Sequence, residues 1–338
     1  MYLRSLLFIL AIFIVSCKEE VSNVIDISSI TLDNQVKSFL PSENGLFSKS
    51  SIVEADSVFL DLYINQILGI ASIDGGQRLD ELNEIFAEDW IKELNDSIRL
   101  EYSKMDDIVV DFQTAFKYMK YYFPSKQTPN VYFCNTLFNY QSFLFEDSRG
   151  DAIGVGLDLF LKDYFDYKNI NPQNPAYSDY LTVHFDRQHI VPKSMLIVID
   201  EIVGRANGVR FIDQMIHNGR KMYLLELLLP KKEKHILFDY SKDQFQWCED
   251  NEFEIWSFFN SEKLMYETSP VKINKFLNES PNSPGMPSEA PGRTASYLGW
   301  KIVHKWLKER NATLDQLLQE TNAQTILDQA RYKPKRKS

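Results

Sequence analysis

The chain has 338 residues, a net charge of −10 and an apolar fraction of 44%, with 23 Phe and 17 Tyr. An acidic chain without a basic face is unsuited to neutralising phosphates, so no nucleic-acid partner is expected. That much apolar and aromatic side chain excludes general disorder and suffices for a large core.

Leu6 to Val15 is an unbroken apolar run with Arg4 just before it, the pattern of the n- and h-regions of a secretory signal. It is about half the roughly 20 residues a membrane-crossing helix needs. Ser16 directly before Cys17, with Ile14 and Val15 ahead, resembles the lipobox of bacterial lipoproteins. Residues 1–16 are therefore expected to be a cleaved lipoprotein signal peptide, and Cys17 the acylated first residue of what remains. Acyl chains such as palmitate contribute about 0.8 kcal/mol per buried methylene, enough in combination to hold a folded domain at a membrane. Lys18 stands where an aspartate would signal inner-membrane retention, which points to the outer membrane. Lys18, Glu19 and Glu20 also resemble a short lysine-plus-acidic signal for surface display.

Residues 17–50 mix Ser, Asn and Asp with scattered Val and Ile and show little periodicity, as expected of a tether behind the lipidated cysteine. A single globular domain is expected over 51–332, with a basic tail at 333–338. From Val53 to Leu68 and from Gln77 to Met119, apolar residues recur every three or four positions, which predicts amphipathic helices ending before Pro124. Pro129 to Leu161 changes to short aromatic and branched runs with turn residues at Asn139 and Ser148 to Asp151, which predicts two or three antiparallel strands. Helical spacing returns from Pro192 to Leu229, from Ser241 to about Leu264, and at Ser296 to Lys308 and Leu314 to Ala330, with a Pro/Ser/Gly-rich loop over Ser280 to Thr294. The expected fold is α+β: a mostly helical single domain with a small central antiparallel sheet.

Chemistry is sparse. None of the five histidines, His184, His189, His217, His235 and His304, forms the two-per-turn spacing of a helical zinc site. Asp200 and Glu201 are adjacent on an apolar helix, where neighbouring positions point about 100° apart, so they do not line one site together. Glu226, and Glu252 with Glu254, stand beside aromatics, a setting found in sugar and cation sites and more often in a packed helix with a solvated edge. Trp247 and Trp256 are too far out of phase to make one platform. Cys134 and Cys248 lie in apolar contexts and read equally as buried thiols or as a disulfide. No nucleophile elbow, phosphate loop or dinucleotide fingerprint is present, so no catalytic, cofactor or metal residue is assigned.

The ordered set of motifs carries more than any one of them. The lipobox is followed by YFP at Tyr122 to Pro124, GVGLDLFL at Gly154 to Leu161, and DQMIHNGRKMYLLELLLP at Asp213 to Pro230. Then come FQWCEDNEFEIW at Phe245 to Trp256, APGRTASYLGWKIV at Ala290 to Val303, and RYKP at Arg331 to Pro334. Together they resemble the gliding motility-associated lipoprotein GldB family of Bacteroidota over nearly the whole chain after Cys17. The resemblance implies a lipid-anchored envelope protein, with protein partners in the gliding and type IX secretion machinery and membrane contact through Cys17. The layout is also similar to a zincin-like peptidase half, but the helix from Met195 to Ala206 carries Asp200 and Glu201 and no histidine, which implies a scaffold without the metal site. The alternative reading is a metal-dependent hydrolase with ligands drawn from His184, His189, His217 and nearby acids. A third is a glycan-binding lipoprotein using exposed Trp and Tyr.

Overall fold

The computed structural model describes residues 25–70 and 78–337. The expected signal peptide, Cys17 and Lys18-Glu19-Glu20 lie outside them. Strand β1 (Val36–Phe39) leads into helices α1 (Lys49–Glu54) and α2 (Ser57–Leu62), the latter running on as a π-helical turn over Tyr63–Ile67. Helices α3 (Arg78–Phe86), α4 (Asp89–Glu101) and α5 (Asp106–Tyr122) precede strands β2 (Asn130–Cys134), β3 (Ser142–Asp147) and β4 (Gly150–Gly156). A stretch of 3-10 turns and the one-turn α6 (Asp179–Thr182) leads to α7 (Ile190–Val203) and α8 (Phe211–Leu228). The rest is helical: α9 (Lys234–Leu237), α10 (Lys242–Asp250), α11 (Glu252–Ser261), α12 (Pro270–Leu277), α13 (Thr294–Arg310), α14 (Leu314–Gln319) and α15 (Ala323–Ala330).

Local chemistry sets these boundaries. The Asp56 carboxylate accepts from the Val58 and Phe59 amides at the start of α2. Ser241 with Gln244, and Thr313 with Gln316, form capping boxes at α10 and α14, which satisfy amide groups that otherwise lack partners. Helix α7 starts before Pro192 because a proline in the first turn forfeits no helical hydrogen bond.

The four strands form one sheet in the order β1-β2-β4-β3. The α+β layout stands, but the sheet is mixed. β3 and β4 are the antiparallel hairpin whose turn residues were legible, whereas β1 pairs parallel to β2, and β2 parallel to β4. Parallel neighbours need long crossovers, and here α1 to α5 connect β1 to β2. The stretch expected to be a tether thus contributes an edge strand, and Phe39 and Phe47 join the core, so the ordered domain begins well before residue 51.

The sheet divides two apolar cores. Successive residues of β2 alternate, Val131 and Phe133 entering the larger core while Tyr132 and Cys134 enter the smaller one beneath α2 to α4. The two cysteines therefore lie in different cores, and both are buried free thiols. In β4, Gly154 faces Phe143 across the hairpin, and a Cβ there would overlap the Phe143 ring.

The larger core is organised around the crossing of α8 and α13. Gly219 and Gly299 meet there; a Cβ on Gly219 would overlap the Gly299 carbonyl, and one on Gly299 the Met215 carbonyl oxygen. Backbone obstacles of this kind do not rotate away. Gly219→Ala or Gly299→Ala should each lower stability by about 1–3 kcal/mol or more, the usual cost of overpacking. Thermal unfolding measures this, and an unchanged midpoint would mean that the helices do not cross so closely.

Candidate functional site

Four helix ends converge on one buried carboxylate. Asp239 follows α9 in a left-handed conformation (φ 52°) that aims its side chain inward. Arg293, also left-handed (φ 58°), is the N-cap of α13 and donates from Nη1 to Asp239 Oδ2 at 2.7 Å. Lys193, in the first turn of α7, lies 3.5 Å from both Asp239 Oδ2 and Glu279 Oε1, the latter just beyond α12. His189, the N-cap of α7, places Nε2 3.8 Å from Asp239 Oδ1, while its Nδ1 is 2.7 Å from Asp186 Oδ1. His184 stacks edge-on against His189, ring centroids 5.0 Å apart.

The electrostatics follow from this crowding. Burial pushes the Asp239 carboxyl up, but Lys193, Arg293 and His189 outweigh it and hold the group well below the usual carboxylate range. Burial alone would lower the Arg293 guanidinium, yet Asp239 and Glu279 raise it. Both groups are charged, as a buried pair must be to offset its lost hydration. Two helix N-termini, those of α7 and α13, point partial positive charge at the same carboxylate. Burial depresses His184 to about 4, reinforced by His189 and Lys193 and opposed by Asp239, so its ring is neutral near pH 7.

Asp239, Glu279 and Arg293 form the wall between two cavities. One, of about 370 Å³, extends past Lys193, Asn218 and Lys221; the other, of about 180 Å³, extends past His184 and Tyr240. The cluster holds positive charge against its acids already, so a cation entering here would have to displace Lys193 or Arg293. Among the described residues, no three His, Cys, Asp or Glu side chains are placed to hold one metal ion.

The remaining residues singled out from sequence are dispersed. His217 is depressed to about 4 by burial and by Lys221 and Arg220. His235 lies 3.4 Å from Glu233. His304 Nε2 is 2.7 Å from Glu226 Oε2, which also accepts from Trp300 Nε1 at 2.8 Å. Asp200 pairs with Lys221 at 2.5 Å, and Glu201 is exposed. Of the hydrolase candidates, only His184 and His189 come together. Asp158 of GVGLD accepts from the Thr136 and Phe138 amides at 2.7 and 2.6 Å, pinning the loop after β2, and burial pushes its carboxyl up to about 6 against those donors. Glu252 accepts from Tyr332 Oη at 2.7 Å, and Glu254 pairs with Arg336 at 3.0 Å. Trp256 packs edge-on against Tyr332, with centroids 5.3 Å apart.

A family model described as gliding motility protein GldB matches residues 16–334. The chain belongs to that family. No curated protein and no solved structure matches it, so the zincin-like resemblance gains no support. In this GldB family member, the APGRTASYLGWKIV motif supplies both Arg293 and Gly299, and thus joins the ion cluster to the helix crossing. The role of Asp239, Lys193, Glu279 and Arg293 was missed in sequence. Its one visible signal is an arginine set between Pro291-Gly292 and an otherwise apolar, aromatic helix start.

Arg293→Met leaves Asp239 buried without its principal partner and should cost about 3–5 kcal/mol in urea unfolding. Asp239→Asn combined with Arg293→Met should cost less than the two single changes summed, and strict additivity would count against the pairing. His184 and His217, depressed in the folded chain, bind more protons when unfolded. Their contribution is complete above the unfolded value near 6.5 and is lost as pH falls toward about 4. The difference in unfolding midpoint between the wild type and a His184→Gln/His217→Gln variant should shrink across that window. A constant difference would contradict the assignment.

Proposed function

We propose that this protein is a lipid-anchored component of the cell envelope that serves gliding motility, and the associated type IX secretion machinery, through protein contacts. The observation that carries this reading is the family match over residues 16–334, together with a cysteine at the boundary between an apolar run and a polar chain. Cys17 is the attachment point in this reading, and the lack of a retention aspartate after it favours the outer membrane, with Lys18-Glu19-Glu20 as a surface-display signal. Among the described residues, no helix is long and apolar enough to cross a membrane, which is compatible with attachment through lipid.

The ion cluster supports a structural role over a chemical one. Its carboxylate is saturated by Arg293 and Lys193, and its formal charges are spent on one another. A metal-dependent hydrolase draws on the 5.0 Å approach of His184 and His189. Against it, the acids nearest those rings, Asp186 and Asp239, already face Lys162, Lys193 and Arg293 at 2.7–3.6 Å.

Cys17→Ala, expressed in place of the native protein, tests the anchor. The variant should leave the membrane fraction and abolish colony spreading. A Cys17→Ala protein that still sediments with membranes would overturn lipidation at this residue, and one that is released yet supports spreading would overturn the need for an anchor.

A further inference from the structure

On the side of the domain formed by α11 and α15, a groove of about 420 Å³ has an aromatic and aliphatic floor of Trp256, Met265, Leu327 and Tyr332, with Tyr266 as an exposed wall. Its rim is cationic. Lys263, Arg331 and Lys333 line it and are exposed, and among the described residues none of the three is in an ion pair. Asp328 is the one carboxylate lining the groove, and it accepts from Gln324 Nε2 at 2.8 Å. In a chain of net charge −10, three unmatched cations around an apolar floor are a marked local reversal of sign.

The adjoining surface shows what such cations select. The chain after α15 lies as a strap over α10 and α11. Tyr332 donates to Glu252, Arg336 pairs with Glu254 at 3.0 Å and covers the Phe253 ring at 5.2 Å, and Lys337 pairs with Asp250 at 3.0 Å. The basic tail is thus held down by acids lying beside aromatics. On the other side of Tyr332, Arg331 and Lys333 offer the same chemistry, cation beside aromatic, and among the described residues neither is in an ion pair. Lys263 and Arg331 also occupy left-handed positions (φ 56° and 48°), where glycine or asparagine is the cheaper residue.

We infer that this groove docks an acidic segment of a partner protein that places an aromatic or aliphatic side chain on Trp256 and Tyr332 and carboxylates against Lys263, Arg331 and Lys333. Apolar anchors supply the affinity of such a contact, and the rim charges its selectivity and speed of association. The inference deepens the reading of this protein as one that acts by protein contacts, but its test is independent of Cys17.

The probe is an array of short synthetic peptides, each with one central Phe or Trp flanked by glutamate, glutamine or lysine, presented to the full chain after Cys17. Glutamate-flanked peptides should be retained at low salt and released as salt rises, and the glutamine and lysine series should not be retained. The variant Lys263→Glu/Arg331→Glu/Lys333→Glu changes only exposed side chains and should keep the wild-type unfolding midpoint while binding the acidic peptides about tenfold or more weakly. Tyr266→Ala should weaken retention of all anchored peptides without changing their charge preference. Equal retention of the three series, or binding unaffected by charge reversal, would overturn the proposal. So would failure to retain any peptide while the protein sediments with vesicles of phosphatidylcholine and phosphatidylglycerol, which would make the groove a lipid-facing surface. A wild-type chain that docks acidic peptides while Cys17→Ala behaves normally in cells would leave this inference standing and remove the anchor.

Discussion

The close approach of α8 and α13 at Gly219 and Gly299 is the constraint on which the larger core depends. Two long helices whose backbones touch must be glycine on both sides, and the contact fixes their relative rotation and height. Everything tied to them inherits that geometry. Asn218 reaches Ser296 at 3.0 Å, and Glu226 accepts from Trp300 and lies 2.7 Å from His304. Because Gly299 is six residues from Arg293 along the same helix, seating the crossing also sets the depth at which the arginine enters the protein.

That arginine explains why a protein with a predominantly apolar interior carries a full set of charges inside it. A buried ion pair rarely adds net stability over a hydrophobic pair of the same volume, but breaking one is costly. The cluster therefore acts by penalising wrong arrangements. Asp239 is satisfied only if the ends of α9 and α12 and the starts of α7 and α13 meet, since each contributes a separate member. Two of its residues sit in the left-handed region, a local strain of order 1–3 kcal/mol each that persists only when surroundings over-determine it. A network of this type specifies one packing of four helices that apolar contacts alone would fix less sharply.

The parts of this architecture that were legible in sequence are those set by local rules. The hairpin at Ser142 to Gly156 announced itself through aromatic and branched runs and turn residues, and the helices through periodicity and proline stops. Strand direction for β1 and β2 was not legible, because parallel pairing is decided by where a long helical crossover returns the chain, and no residue in VKSF or NVYFC records that. Residues 36–39 were assigned to a tether for a related reason: an edge strand this short has too few positions to show a period. The ion cluster escaped because its members, Lys193, Asp239, Glu279 and Arg293, are scattered over a hundred residues, each on a different element.

The distribution of charge ties these observations to an interaction surface. Inside, Asp239 is matched by Arg293 and Lys193 and Asp158 by backbone amides, as low dielectric demands. Outside, the strap after α15 matches its own cations to Glu254 and Asp250 and covers part of α10 and α11. On the other side of Tyr332, Lys263, Arg331 and Lys333 are in no ion pair among the described residues. Water can solvate the cations on the far side, so no stability argument requires partners for them, and their placement around Trp256 is not needed for folding. A half-buried Trp256 and an exposed Tyr266 beside unpaired cations have a cost in solubility that a purely structural surface would avoid by burying the rings or neutralising the rim. Helix α13 packs against both α11 and α15, so the groove between them is a preformed shape, which lowers the entropy lost when an acidic segment settles into it.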